Sequence, residues 1–328
     1  MKQMFVVGHG GPEKLQLRES PEPSPARGEI RIRVKVSGVN FADILARQGL
    51  YPDSPKVPCV VGYEVSGTVD TVGPGVDHAW VGKDVFALTR FGGYSDVVVV
   101  PEKQIFAKPA SLSHELAAAI PVNYLTAWQL LVVMGSLKRE ETVLVHNVGD
   151  GVGLAAIDIA GHIGATIYGT ASGGKHAFLL QRGLHEAIDY RTKDWAVELE
   201  RLTNGKGVAL ITDPLGGNHW KKSYKALRST GRLRYVWRFG GNYVEAVWAV
   251  TSAAGCARHA VIPSARADEH KQISLRRKPR AHVARDRHDR GLDGNTAEGR
   301  RGWLGPPPCG QELPARTGRR GTNLYRRA

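Results

Sequence analysis

Cysteine is scarce in this chain of 328 residues: only Cys59, Cys256 and Cys309 occur, widely spaced and odd in number. That argues against a disulfide framework or a Cys-rich zinc site and fits a reducing cytoplasm. No run of about 18 or more apolar residues is present, so no membrane-spanning helix is expected. The apolar stretch in MKQMFVVGHGGPE is too short for a secretory signal. Large aliphatic side chains nearly vanish near the end: residues 251–328 hold nine Leu, Ile, Val or Phe. Such a segment buries too little apolar surface to fold and is expected to be disordered. Acidic residues are short there too. Residues 234–328 carry 19 Lys and Arg against 8 Asp and Glu, whereas residues 1–233 carry 26 against 23. Nearly all of the net charge of +14 therefore belongs to the tail. It contains no zinc-finger spacing, heptad or RNA-binding motif, so its charge is no sign of nucleic-acid binding.

What is present divides into two patterns. EIRIRVKVSGV (29–39) alternates charged and apolar residues, as a half-buried strand does. CVVGYEVSGTVDTVGPGV (59–76) and GGYSDVVVVP (92–101) add strands, and FADILARQG (41–49) has helical spacing and a closing glycine. From Ser113, a plausible N-cap, the period changes to two apolar helical segments separated by Pro121. Strands and helices then alternate: ETVLVHNV with GVGLAAIDIAGHIG, ATIYGTAS with KHAFLLQRG, EAIDYR with KDWAVELERLTNG, and GVALITDP with HWKKSYKALRSTG before a strand starting at GRLRYV. Nearly continuous apolar strands in that order predict a parallel sheet covered on both faces.

The first of those turns, VHNVGDGVGLAA, has the form of a strand-to-helix turn that grips a dinucleotide pyrophosphate. Gly151 and Gly153 supply the tight turn and the close helix–strand contact, with Val152 between them. Asp150 stands where a bare glycine is usual. A carboxylate there is unfavourable to phosphate unless it points away or caps the helix. NAD sites place an acid about 20 residues downstream, on the ribose hydroxyls. Here no Asp or Glu occurs between Asp158 and Glu186; instead Thr170, Ala171 and Ser172 end the second strand, and Lys175 follows. Small hydroxyls and a cation suit a 2′-phosphate, which favours NADPH. Taken alone, Ser172 reads equally as a helix cap and Lys175 as a solvated side chain.

KVSGVNFADILARQGLYP, VPCVVGYEVSGTVDTVGPGV, VGKDVFAL, FGGYSDVVVVP, IPVNYLTAW, VLVH…GVGLAA and GTASGGKHAFL occur in one order within residues 1–233. Together they resemble the medium-chain dehydrogenase/reductase superfamily, in its quinone oxidoreductase branch with the vesicle amine transport protein relatives. The resemblance implies an α/β chain with a GroES-like β-rich substrate domain (residues 1–120). A Rossmann NADPH domain with a doubly wound parallel sheet follows (121–250), incomplete here, and then the Arg-rich tail (251–328). It implies NADPH-dependent reduction of a quinone or an α,β-unsaturated carbonyl. Family site residues map onto Asn40, Tyr51, Asn123 and Thr126, and the adenosine-phosphate contacts onto Ser172, Lys175 and Tyr190. Asn40 and Tyr51 are the expected hydrogen-bond donors to the substrate carbonyl; Asn40 reads equally as the N-cap of FADILARQ, and Tyr51 as an ordinary half-buried loop aromatic. His146 reads as a packed histidine rather than a base.

The zinc-dependent branch has a cysteine at the Asn40 position and a histidine in GHE, where this chain has Gly62, Tyr63 and Glu64, so no metal is expected in the reaction. After GRL (231–233) the likeness stops, as a reading-frame shift in the gene would produce, or a divergent, genuinely basic tail. The resemblance implies a homodimer, but its edge strand falls in the altered stretch, which argues against one here. Two rivals remain beside the reductase: a non-catalytic NADPH-binding, vesicle- or membrane-associated protein, and an inactive frameshifted product.

Overall fold

The computed structural model describes residues 1–235. The expectations of a disordered tail and of an incomplete far half of the sheet concern residues outside them.

The first half is antiparallel. Strands β1 (Lys2–Val6), β2 (Leu15–Glu19) and β4 (Cys59–Val60) form a three-stranded sheet in the order β2-β1-β4. Strands β3 (Glu29–Ser37), β5 (Glu64–Val72), β6 (Asp84–Leu88), β7 (Val97–Pro101) and β8 (Ile105–Ala107) form a second sheet, ordered β7-β3-β5-β6-β8. The alternation read in EIRIRVKVS is realised side by side. Ile30 and Ile32 are fully buried against Val65, Val69, Val85 and Val98. Arg31 and Arg33 point outward, and both reach the carboxylate of Asp70. Helix α1 (Phe41–Arg47) leaves β3 through Asn40, whose extended backbone makes it the N-cap.

The second half alternates. Helices α2 (His114–Ala118) and α3 (Pro121–Trp128) meet at Pro121, which opens α3, where its missing N–H costs nothing. Ser113 caps α2 by accepting from Leu116 N. Strands β9 (Thr142–Val145), β10 (Thr166–Ala171), β11 (Glu186–Asp189), β12 (Val208–Thr212) and β13 (Leu227–Arg234) then form a parallel sheet ordered β11-β10-β9-β12-β13. Helices α4 (Gly151–Ile163), α5 (His176–Gln181), α6 (Trp195–Leu202) and α7 (Asn218–Lys225) make the crossovers. Neighbouring residues on one strand serve opposite layers: Val143, Ile167 and Leu210 pack with α3 and α4, while Leu144 and Ile211 pack with Trp195 and Leu199 of α6. Both faces are covered, which explains why these strands read as unbroken apolar runs. Strand order reverses at β9, the central strand, so a crevice opens beyond the carboxyl ends of β9, β10 and β12.

One element differs from its sequence pattern. HWKKSYKALRSTG reads as helix to Gly231, yet α7 ends at Lys225 and β13 starts at Leu227. Pairing with β12, which sets Val208 against Leu227 and Leu210 against Arg232 with a register shift between, outweighs the helical propensity of the segment.

Candidate functional site

The turn after β9 is built by close approach. A Cβ on Gly153 would lie 2.5 Å from the backbone of Val148, so only glycine lets α4 pack so tightly on the strand end. A Cβ on Gly151 would lie 2.4 Å from Asn123 Oδ1, and one on Gly149 would lie 2.7 Å from Lys175 Cδ. The extra carboxylate has a definite role: Asp150 is the N-cap of α4, accepting from Gly153 N at 2.7 Å. Burial pushes its pKa up; the bonds from Gly153 and Val152 N and the Lys175 charge pull the other way without restoring it.

Several residues singled out from the sequence converge here. Asp150, Thr170, Ser172, Lys175 and Tyr190 line one cavity of about 140 Å³, together with Asn147, Gly149 and Ala171. They come from the carboxyl ends of β9, β10 and β11. Lys175, exposed at the end of the turn Gly173–Lys175, reaches back with its ammonium to donate to Gly149 O at 3.0 Å. Ser172 precedes the turn Gly173–Lys175 but makes no side-chain cap bond. Tyr190 is 49% exposed beside Arg191. Asp189, at the end of β11, is engaged with Gly173 N and Arg191 N.

The other expected residues lie toward the first half. Asn123 Nδ2 donates to Ala119 O at 2.8 Å, and Thr126 follows one turn later on α3. Asn40 Nδ2 donates to Glu64 Oε1 at 2.8 Å, and Glu64 Oε2 accepts from Val122 N at 2.8 Å. Glu64, 1% exposed, thus ties the start of β5 to α1 and to the first turn of α3. Asp43 is the reciprocal partner, accepting from Asn40 N, Gly62 N and the Tyr94 hydroxyl. Burial raises the pKa of both carboxyls, against the bonds that hold them. Tyr51 stands edge-on to Tyr63, ring centres 6.0 Å apart, and Tyr63 in turn packs on Phe91. Burial first, then the Tyr51 hydroxyl, lifts the Tyr63 phenol above its ordinary range. Glu64 escaped the sequence reading except as a non-histidine; the signal was one carboxylate inside the apolar run CVVGYEVSG.

His146, at the end of β9, is buried as expected, with Nδ1 3.0 Å from Thr170 Oγ1 and its ring against Trp195. Burial holds it neutral, well below the usual imidazole range. Its companions, Asp213, His219 and Ser223, were not anticipated. Asp213 is fully buried; burial raises its pKa, but bonds from His219 and Ser223 outweigh that and leave it lowered.

A zinc ion at the Asn40 position does not fit. The side chains gathered there are Asn40, Asp43 and Glu64, with neither thiolate nor imidazole, and each carboxylate is satisfied by hydrogen bonds. No helix among the described residues is long and apolar enough to cross a membrane.

Comparison with known proteins agrees with this architecture. A family described as alcohol dehydrogenase GroES-like domain matches residues 26–110, and one described as zinc-binding dehydrogenase matches residues 151–247. Synaptic vesicle membrane protein VAT-1 homolog of Danio rerio is 40% identical over 234 residues, 71% of this chain and 48% of that protein. The chain thus spans about half the length of that vertebrate relative. Quinone oxidoreductase 1 of Escherichia coli K12 is 37% identical over 227 residues, 69% of each chain. Among solved structures, Escherichia coli quinone oxidoreductase complexed with NADPH superposes with a TM-score of 0.67 at 35% identity, covering 71% of this chain and 72% of that one. CurK enoyl reductase gives 0.70 at 30% identity, covering 74% and 75%.

Proposed function

This chain belongs to the medium-chain dehydrogenase/reductase superfamily, in its quinone oxidoreductase branch, and we propose that it binds NADPH and reduces a quinone or α,β-unsaturated carbonyl without zinc. The observation that carries the reading is the single cavity shared by Gly149, Asp150, Thr170, Ser172, Lys175 and Tyr190. Hydroxyls, a cation and a glycine turn at a helix N-terminus suit a phosphorylated ribose and its pyrophosphate. Gly151 offers the first backbone N–H of α4, while those of Val152 and Gly153 are engaged by Asp150; Asn123 lies against Gly151, and with Thr126 it is assigned to the approach from α3. When bound, NADPH supplies a hydride to the substrate. Asn40 and Tyr51 donate hydrogen bonds to the substrate oxygen on which negative charge develops. An amide nitrogen carries two N–H groups. Glu64 engages one at Asn40 and so orients the other.

Titration of the protein with NADPH and NADH tests this. Hydrogen bonds to charged groups contribute about 1.5–3 kcal/mol, so Lys175→Ala weakens NADPH about 10- to 100-fold and leaves NADH nearly unchanged. Equal binding of both cofactors, with no effect of the substitution, refutes the phosphate assignment. Oxidation of NADPH by a simple quinone tests the reductase. Binding without turnover supports a second reading, a non-catalytic NADPH-binding, vesicle- or membrane-associated protein; the likeness to synaptic vesicle membrane protein VAT-1 homolog bears on the vesicle association alone.

A further inference from the structure

At the switch point of the parallel sheet, four side chains from three elements converge. His146 follows β9, Asp213 follows β12, and His219 and Ser223 lie one turn apart on α7. His219 Nδ1 is 2.6 Å from Asp213 Oδ2; Ser223 Oγ is 2.6 Å from the same oxygen, 3.3 Å from His146 Nε2 and 3.5 Å from His219 Nδ1. One donor atom from each of His146, Asp213 and His219 lies within 4.8 Å of the other two, the one His/Cys/Asp/Glu group of this kind among the described residues. We propose that His146, Asp213 and His219 form a Zn²⁺-class metal site, with Ser223 Oγ or a water closing the fourth position.

Three features go beyond proximity. The donor set, two imidazoles and a carboxylate, is one that binds Zn²⁺ tetrahedrally with bonds of about 2.0–2.2 Å, placing ligand atoms about 3.3 Å apart. The His219–Asp213 separation of 2.6 Å and the Ser223 Oγ separations of 2.6–3.5 Å lie about that spacing, and His146 has a ligand atom within 4.8 Å of the other two, so coordination needs side-chain rotation and no change of backbone. The outer partners that ligands of a metal need are also in place. Thr170 Oγ1 accepts from His146 Nδ1 in the tautomer that leaves Nε2 as ligand, and Leu215 N donates to Asp213 Oδ1, leaving Oδ2 inward. Finally, Asp213 is fully buried, and a cation here would add its charge to the hydrogen bonds from His219 and Ser223 that hold the carboxylate. Lys222, the nearby ammonium, is engaged with Asp194. Trp195 walls the cluster, its ring 4.6 Å from that of His146 and 5.1 Å from that of His219. The His219 side chain is 23% exposed and gives the ion its way in. The proposal assigns the metal no part in reduction; it pins α7 to the ends of β9 and β12.

The full chain, stripped with chelator, is titrated with Co²⁺. One equivalent with the intense visible absorption of tetrahedral Co²⁺, displaced by Zn²⁺, is expected. His219→Asn keeps an N–H for Asp213 and so preserves the fold, but it loses that equivalent; subtracting it removes background binding by the tail's histidines and cysteines. Zn²⁺ raises the Tm of the wild type and not of the variant. Absence of a tetrahedral spectrum in the wild type overturns the proposal, whether or not the variant folds. The same spectrum and stoichiometry in His219→Asn, or in His146→Gln as a second variant, also overturns it.

Discussion

Replacing Asp150 by glycine restores a bare turn at the start of α4 and separates two opposed effects. The carboxylate caps the helix through Gly153 N. Exchange of an N-cap Asp for Gly costs only a few tenths of a kcal/mol, so the fold is kept and Tm falls by a degree or two. Cofactor binding moves the other way. The carboxylate occupies a backbone N–H that a phosphate at this helix end would use, and it draws on the charge of Lys175. A unit charge about 5 Å from a phosphate charge, at an effective dielectric constant of about 20, opposes it by about 3 kcal/mol. Screening discounts this to about half. Asp150→Gly therefore tightens NADPH about tenfold at neutral pH, read by fluorescence titration. The sign of the pH dependence follows: a carboxyl with a raised pKa takes up its proton as pH falls through the range just above the ordinary carboxylate value. Wild-type affinity approaches that of the variant as pH is lowered there. Taking the ratio of the two proteins at each pH cancels titration of the 2′-phosphate itself. Unchanged or weaker NADPH binding in Asp150→Gly, with Tm preserved, refutes the account of the turn.

Other outcomes follow from neighbouring contacts. Glu64→Ala leaves Val122 N and the Asn40 amide without their acceptor in a buried place, which lowers stability by about 1–3 kcal/mol in denaturant titration. If Glu64 acts by orienting Asn40, Asn40→Ala lowers kcat about 10²- to 10³-fold, and Glu64→Ala adds little in the double variant; fully additive losses contradict this. Ile211→Ala empties a fully buried position between β12 and α6 and costs about 2–5 kcal/mol, with a smaller loss showing that this layer repacks. Translation of the gene in the other two frames beyond codon 233 yields a family-like continuation; none in either frame ends the frameshift explanation.

How far the chain was legible depended on whether a signal was local. Alternation in β3 and unbroken apolar runs in β9 and β12 carry their own periodicity, and the structure follows both. The end of α7 was not legible, because the register of β13 on β12 decides it and no local propensity encodes that pairing. The cofactor turn falls between: Gly151 and Gly153 were recognisable by spacing, but whether Asp150 faced solvent or capped the helix was a question of geometry, answered by Gly153 N. Least legible were groups assembled across long separations. Glu64 meets Val122 and His146 meets Ser223, 58 and 77 residues away, and nothing in either short stretch announces the partner. The fold places such pairs where strand ends converge. In an open parallel sheet the carboxyl ends beside the central strand are where residues remote in sequence must meet. His146 is packed, as its sequence context suggests, but its partners come into view only when a polar residue at the end of a central strand is judged with whatever ends the strand beside it, here Asp213.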